Sequence, residues 1–143
     1  MLLNVTGTSE TLGPIIKELP YLSWIHSVTA GLDHMLCPEI ADDPNLILTN
    51  AKGIYSSSLA EYVMAACSYF AKDFPRLMQQ RKEKKWERYC VGELRGKTMG
   101  IIGYGDIGRA CAVLAKAYGM EVYGLRRNPE LSAQDEYIDR VSV

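Results

Sequence analysis

Apolar positions change their period along this chain, and the changes mark its elements. Thr98 to Ile102 is a short apolar run with β-branched residues, the pattern of a buried parallel strand. From Ile107 the apolar residues fall at helical spacing: Ile107, Ala110, Cys111, Leu114, Ala115 and Tyr118. Gly119 stands where a helix ends on a left-handed residue, and Glu121 to Leu125 returns to a strand pattern. Upstream, residues 2–5 read as a short strand. Leu12, Ile15, Ile16 and Leu19 share one face of a helix that Pro20 stops. Leu22 to Ser27 and Asn45 to Thr49 are further strands, joined by a turn-rich stretch from Pro38 to Pro44. Ser58 and Glu61 fit a capping box that opens a helix with a wide apolar face, from Leu59 through Tyr62, Val63, Ala66, Cys67 and Phe70 to Phe74. Pro75 is expected to break or kink that helix at Phe74, with a second helical piece from Arg76 to about Trp86. Asn128 to Val143 is polar and acidic and reads as a loop. Strands alternating with helices predict an α/β fold.

Between the strand at Thr98 and the helix at Ile107 lies GYGDIG, with Gly103, Gly105 and Gly108 in a G-x-G-x-x-G pattern. Each glycine has a mechanical task in such a turn. Gly103 lets the chain reverse out of the strand. Gly105 lets a pyrophosphate approach the backbone, and Gly108 lets the helix lie close to the sheet. The helix start presents unpaired N–H groups and about half a positive charge, which suits a phosphate. The motif alone is weak, but here a strand precedes it and a helix follows. Gly103, Tyr104, Gly105, Asp106, Ile107 and Gly108 are therefore the candidate dinucleotide-binding residues.

About 20 residues beyond the glycines, an NAD site usually carries Asp or Glu for the ribose 2′-hydroxyl. This chain has Leu125, Arg126 and Arg127 there. A guanidinium can bind a 2′-phosphate through two hydrogen bonds, whereas a carboxylate would repel it. NADP is therefore the expected cofactor in preference to NAD, with Arg126 as first contact and Arg127 as support. The alternative is a pair of solvated arginines at a strand end.

The loop Val28 to His34 (VTAGLDH) follows a strand, and its small residues Ala30 and Gly31 leave the backbone open. Ligands of α/β proteins collect beyond the C-terminal ends of strands, and exposed N–H groups there can hold a carboxylate. Composition narrows the remaining classes. The 143 residues, 48% hydrophobic, suffice for an ordinary core, and a net charge of −1 gives no general pull toward nucleic acid or membrane. No apolar run is long enough to span a bilayer, and MLLNVTGTSE has neither a secretory nor a transit pattern. Cys37, Cys67, Cys90 and Cys111 are widely spaced, which favours buried free thiols over disulfides or a metal site. A cytoplasmic protein is expected, with an organelle as the alternative. The run RKEKKWER, Arg81 to Arg88, mixes both signs and reads as a solvated helical face rather than a nucleic-acid contact.

Three blocks, LSWIHSVTAGLDHM (22–35), NAKGIYSSSLAEYVMA (50–65) and LRGKTMGIIGYGDIGRACAVLAKAYGMEVYGLRRNP (94–129), resemble the D-isomer-specific 2-hydroxyacid dehydrogenases, the group of glyoxylate/hydroxypyruvate reductases and phosphoglycerate dehydrogenases. The resemblance implies the start of a Rossmann NAD(P)-binding domain joined to part of a flavodoxin-like substrate domain. Residues 1–90 would belong to the substrate domain with its crossing helix, and residues 91–143 to the Rossmann domain. It implies hydride transfer between NADP(H) and a small 2-oxo or 2-hydroxy acid, whose carboxylate meets main-chain N–H groups at Ala30 and Gly31. Ser58 matches a segment where a hydroxyl lies near the cofactor, although capping explains it equally. The Leu59–Phe74 face is implied as partly a homodimer interface.

The family's catalytic Arg, Glu and His match nothing within residues 1–143 and are expected beyond Val143. His26 and His34 fall in substrate-domain blocks and do not match the catalytic position; His34 reads as structural. The chain alone is therefore expected to be marginally stable and inactive toward glyoxylate and hydroxypyruvate. A different class of protein, a non-catalytic dinucleotide-binding corepressor of the same fold, shares these features. An Arg, a Glu and a His downstream would distinguish the enzyme. A methyltransferase fits less well, given Gly108 and the absence of an acidic ribose ligand.

Overall fold

The computed structural model describes residues 1–4 and 7–143, so Val5 of the first expected strand lies outside the described residues. The chain divides into two compact units, Met1–Ile54 and Tyr55–Val143.

In the first unit, strands β1 (Leu2–Asn4), β2 (Trp24–Ser27) and β3 (Ile47–Thr49) lie side by side in that order, all parallel. Leu2 and Leu48 flank Ile25 in register, and Ile25 is fully buried. Helices α1 (Ser9–Lys17) and α2 (Pro38–Ala41) complete the unit. Leu12, Ile25, Met35, Cys37 and Ile40 form its core. α1 ends at Lys17, ahead of Pro20, and the Lys17 ammonium pairs with Glu39 of α2 at 2.9 Å.

The second unit contains helices α3 (Ser56–Ala71) and α4 (Phe74–Lys82), then β4 (Thr98–Ile102), α5 (Asp106–Ala117), β5 (Glu121–Leu125), a 3-10 turn at Pro129–Ser132 and β6 (Arg140–Ser142). Its sheet runs β4-β5-β6, again all parallel. Ala60 and Met64, one helical turn apart on α3, join Cys111, Ala112 and Ala115 of α5 and Met99 and Val122 of the sheet in one core. The small residues Ala60, Ala112 and Ala115 allow the two helices to approach closely. The second unit thus takes in α3 and α4, which the family resemblance counts with the substrate domain.

Several local expectations are corrected. The capping box at Ser58 is absent: α3 starts at Ser56 with Tyr55 as N-cap, and no side chain caps it. The amide of Leu59 already bonds the Tyr55 carbonyl at 3.0 Å, so Ser58 lies inside the first turn. The helix break comes at Lys72 and Asp73, before Pro75. Asp73 takes a left-handed conformation, and its carboxylate accepts the Arg76 amide at 3.3 Å. Pro75 therefore sits in the first turn of α4, where its missing N–H costs nothing.

α4 stops at Lys82 rather than near Trp86, because Lys84 turns left-handed and the Lys85 amide reaches back to the Gln80 carbonyl at 2.9 Å. Arg81 to Arg88 is helical only at its start, and Lys85 and Glu87 pair at 3.5 Å in solvent. The expected loop after Asn128 contains a third strand. Asp139 fixes it: its carboxylate accepts the Val122 amide at 2.7 Å and the Lys116 ammonium at 2.8 Å. All four cysteines are free; Cys37 and Cys111 are buried, whereas Cys90 is exposed, contrary to expectation.

Candidate dinucleotide-binding site

The glycine turn is built almost entirely from main chain. Gly103 has φ +93°, a conformation that favours glycine. The amides of Gly103 and Tyr104 both donate to the Leu125 carbonyl at 3.0 Å, and the Gly105 amide donates to the Gly103 carbonyl at 2.9 Å. The turn is thereby tied to the end of β5. At Gly108 a Cβ would stand 2.7 Å from the Gly103 carbonyl oxygen and 3.0 Å from Ile101 Cγ2, so α5 can pack there only without a side chain. At Gly105 a Cβ would meet nothing within 4 Å. Gly105 also lines a cleft.

The first intrahelical donor of α5 is Arg109, to the Gly105 carbonyl at 2.8 Å. The Ile107 and Gly108 amides precede it, with no acceptor inside the helix. Asp106 occupies the first turn, where a carboxylate suits the helix dipole.

Tyr104 contributes its backbone to the cleft while its ring turns inward. The residue is 1% exposed, and its hydroxyl donates to Asp135 at 3.3 Å. Burial first, then the Asp135 charge and hydrogen bond, pushes its phenol up to about 12, against the opposing pull of Arg109 and Arg126. Asp135 also accepts Arg109 Nε at 2.7 Å, and the Arg109 guanidinium lies over the Tyr137 ring. The loop after β5 is thus anchored to both the glycine turn and α5.

The cleft is about 490 Å³ and is lined by Ile102 to Gly105, Leu125 to Arg127 and Val143. None of its lining residues is acidic. Arg126 is held at both ends: its amide donates to the Ser142 carbonyl at 2.8 Å, and Nη1 donates to Ser132 Oγ at 2.5 Å. Arg127 is exposed beside it. The structure therefore brings Gly103, Tyr104, Gly105, Arg126 and Arg127 together around one cavity. Asp106, Ile107 and Gly108 follow in the adjoining helix turn. Ser58 is exposed on α3 and does not line the cleft.

The inventory from sequence overlooked Gly124, Ser132, Asp135 and Arg109. Gly124 had a readable signal, a glycine inside a strand pattern. A Cβ there would lie 2.5 Å from Ile138 Cδ1 and 3.1 Å from Tyr104 Cδ2.

In the first unit the Ala30-Gly31 loop is exposed, and its carbonyls are engaged by side chains. Asn50 Nδ2 donates to the Ala30 carbonyl at 2.7 Å and Thr29 Oγ1 to that of Gly31 at 2.9 Å. Among the described hydrogen bonds none uses the Ala30 or Gly31 amide. His26 Nδ1 lies 2.9 Å from Thr49 Oγ1, which also accepts Trp24 Nε1 at 2.9 Å. His34 is exposed, and its carbonyl accepts the Ser9 amide at 2.8 Å.

Parallel strands joined through a glycine turn at a helix start, with a cleft at the strand ends, define a Rossmann-like dinucleotide-binding domain. Residues 64–143 match the family described as D-isomer specific 2-hydroxyacid dehydrogenase, NAD binding domain, and the chain belongs to that family of NAD(P)-dependent oxidoreductases. It is 31% identical over 140 residues to the hydroxypyruvate reductase of Thermotoga maritima, covering 96% of this chain and 45% of that protein. It is 33% identical over 121 residues to the D-3-phosphoglycerate dehydrogenase of Methanocaldococcus jannaschii, covering 83% of this chain and 23% of that one. Among solved structures, a glycerate dehydrogenase related protein from Thermoplasma acidophilum superposes with a TM-score of 0.68 at 34% identity, over 84% of this chain and 41% of that one. The chain thus spans less than half the length of these relatives. No helix among the described residues is long and apolar enough to cross a membrane.

Proposed function

We propose that the protein binds NADP(H) in preference to NAD(H) at the Gly103–Gly108 turn, as part of an enzyme that moves a hydride between that cofactor and a small 2-oxo or 2-hydroxy acid. The observation that carries the cofactor preference is the shared cleft: the glycine turn and two arginines line it, and no acidic side chain does. The Ile107 and Gly108 amides would receive the pyrophosphate, the open space at Gly105 would admit it, and Arg126 and Arg127 would meet the 2′-phosphate. When bound, the nicotinamide supplies the hydride chemistry; the residues present here hold and orient the dinucleotide.

The substrate class rests on the relatives named hydroxypyruvate reductase, D-3-phosphoglycerate dehydrogenase and glyoxylate reductase. Residues 1–90 would be part of a flavodoxin-like substrate domain, with the free Ala30 and Gly31 amides receiving the substrate carboxylate, and residues 91–143 would begin the nucleotide domain. A homodimer is part of the proposal, supported by the exposed apolar face of α3, where Tyr62 and Phe70 are each 73% exposed.

Titrations of NADPH and NADH, followed by nucleotide fluorescence, test the reading. NADPH is expected to bind at least about tenfold tighter, the worth of one charge-assisted phosphate contact. Tighter NADH would overturn the preference, and no binding of either would overturn the site.

A further inference from the structure

An arginine that recognises a 2′-phosphate must be aimed, because its long side chain otherwise loses rotamer entropy on binding. Arg126 is aimed before any ligand arrives. Its amide is fixed by the Ser142 carbonyl, so strand β6 holds the backbone end. Its Nη1 is held by Ser132 Oγ at 2.5 Å. Ser132 is 3% exposed, so its hydroxyl does not serve solvent.

Ser132 is itself immobilised. Its carbonyl accepts the Asp135 amide at 3.1 Å, and the Asp135 carboxylate is gripped by Arg109 and Tyr104. Ser132 is therefore tied through Asp135 to the helix and turn that would carry the pyrophosphate. A guanidinium has five N–H donors, and this contact uses one, leaving four for a phosphate.

We infer that Ser132 is a positioning residue for cofactor discrimination: it holds the Arg126 guanidinium at the cleft so that the 2′-phosphate of NADP(H) meets a fixed fork of donors. The inference rests on the reading of Arg126 given under the proposed function. A purely structural role for the bond would affect both cofactors alike, because the glycine turn and the pyrophosphate site serve both.

The test titrates NADPH and NADH, with adenosine 2′,5′-bisphosphate and 5′-AMP as minimal competitors, against the full-length protein and three variants. Arg126→Ala is expected to weaken NADPH at least about tenfold. Ser132→Ala is expected to weaken NADPH and the bisphosphate about fivefold, with NADH and 5′-AMP changed less than twofold. Ser132→Thr, which keeps the hydroxyl, is expected to restore most of the difference. If Arg126→Ala removes the NADPH preference and Ser132→Ala does not, the positioning role is wrong and the cofactor reading stands. If Arg126→Ala leaves the preference intact, the cofactor reading of Arg126 fails and the inference falls with it. Equal weakening of both cofactors by Ser132→Ala, or tighter NADPH, would also overturn the positioning role.

Discussion

Both compact units lay three parallel strands side by side in chain order, yet they hold the loops beyond those strands by different means. After β4, main-chain amides of Gly103 and Tyr104 converge on one carbonyl, and the absence of side chains at Gly105 and Gly108 shapes the rest. After β2, the side chains of Asn50 and Thr29 hold the carbonyls of Ala30 and Gly31. A loop tied by main chain depends on which positions lack a Cβ. A loop tied by side chains depends on which polar groups reach it, and its own glycine is dispensable.

The sharpest test of that contrast is a pair of glycine substitutions. Gly108→Val forces a Cβ to within 2.7 Å of the Gly103 carbonyl and is expected to cost about 3 kcal/mol in chemical denaturation, through overpacking. Gly31→Ala meets nothing within 4 Å and should change stability by less than about 0.5 kcal/mol. Comparable losses for the two would break the comparison. Gly105→Val sharpens it, because the fold has room for the side chain and the cofactor does not; unchanged denaturation with lost nucleotide binding is the expected outcome.

Asn50→Ala comes next in size. Losing the bond to the Ala30 carbonyl should cost about 1 kcal/mol and speed hydrogen exchange around Ala30 and Gly31. An unaltered exchange rate there would mean that the side chain does not hold the loop.

Acid should weaken both units through ion pairs that differ in their second partner. In the first, hydrogen bonding to Lys17, then to its own backbone, holds the Glu39 carboxyl down at about 2. In the second, hydrogen bonding to Lys116, then to the Val122 amide, lowers Asp139. Both folded values lie below the unfolded ones. Their stabilisation is therefore complete above the unfolded pKa and is lost as pH falls through the folded value. For Glu39 that window runs from about 4.5 down to about 2. Glu39→Gln should flatten the acid limb of unfolding for the first unit, and Asp139→Asn for the second. Added salt should shrink both effects. A limb unchanged in either variant would remove that pair from the account.

The last contrast concerns two helix ends with the same hydrogen-bond pattern. α5 ends on left-handed Gly119, with Met120 N bonded to the Ala115 carbonyl, and α4 ends on left-handed Lys84, with Lys85 N bonded to that of Gln80. Lys84→Gly should raise stability by about 0.5–1 kcal/mol by relieving a conformation that L-residues resist. A loss instead would show that the Lys84 side chain matters more than its backbone.

The strand, glycine turn, helix and strand from Thr98 to Leu125 were legible because each signal is local. The strand's apolar run, the helix's spacing and the glycines' permissive backbone all lie within a few residues of what they decide. The break between α3 and α4 was misplaced because Pro75 is compatible with a first helical turn, and Asp73 supplied the stop by capping the next helix. The capping-box motif at Ser58 failed because two serines precede it and the helix could start earlier. Strand β6 was missed because Arg140 to Ser142 is too short to show a period, and what places it is Asp139 bonding the amide of Val122.

The sequence by itself determined that a side-chain-free turn enters a helix and that arginines, not carboxylates, follow the second strand. Only the tertiary structure decided how those arginines are presented. Ser132 lies six positions beyond Arg126, and no local pattern says that a 3-10 turn will bring its hydroxyl back to the guanidinium. Asp135, Arg109 and Tyr104 are likewise separated in sequence and joined only when the loop folds over α5. Short-range geometry is written in residue types, whereas the meeting of distant polar side chains depends on the packing that buries them together.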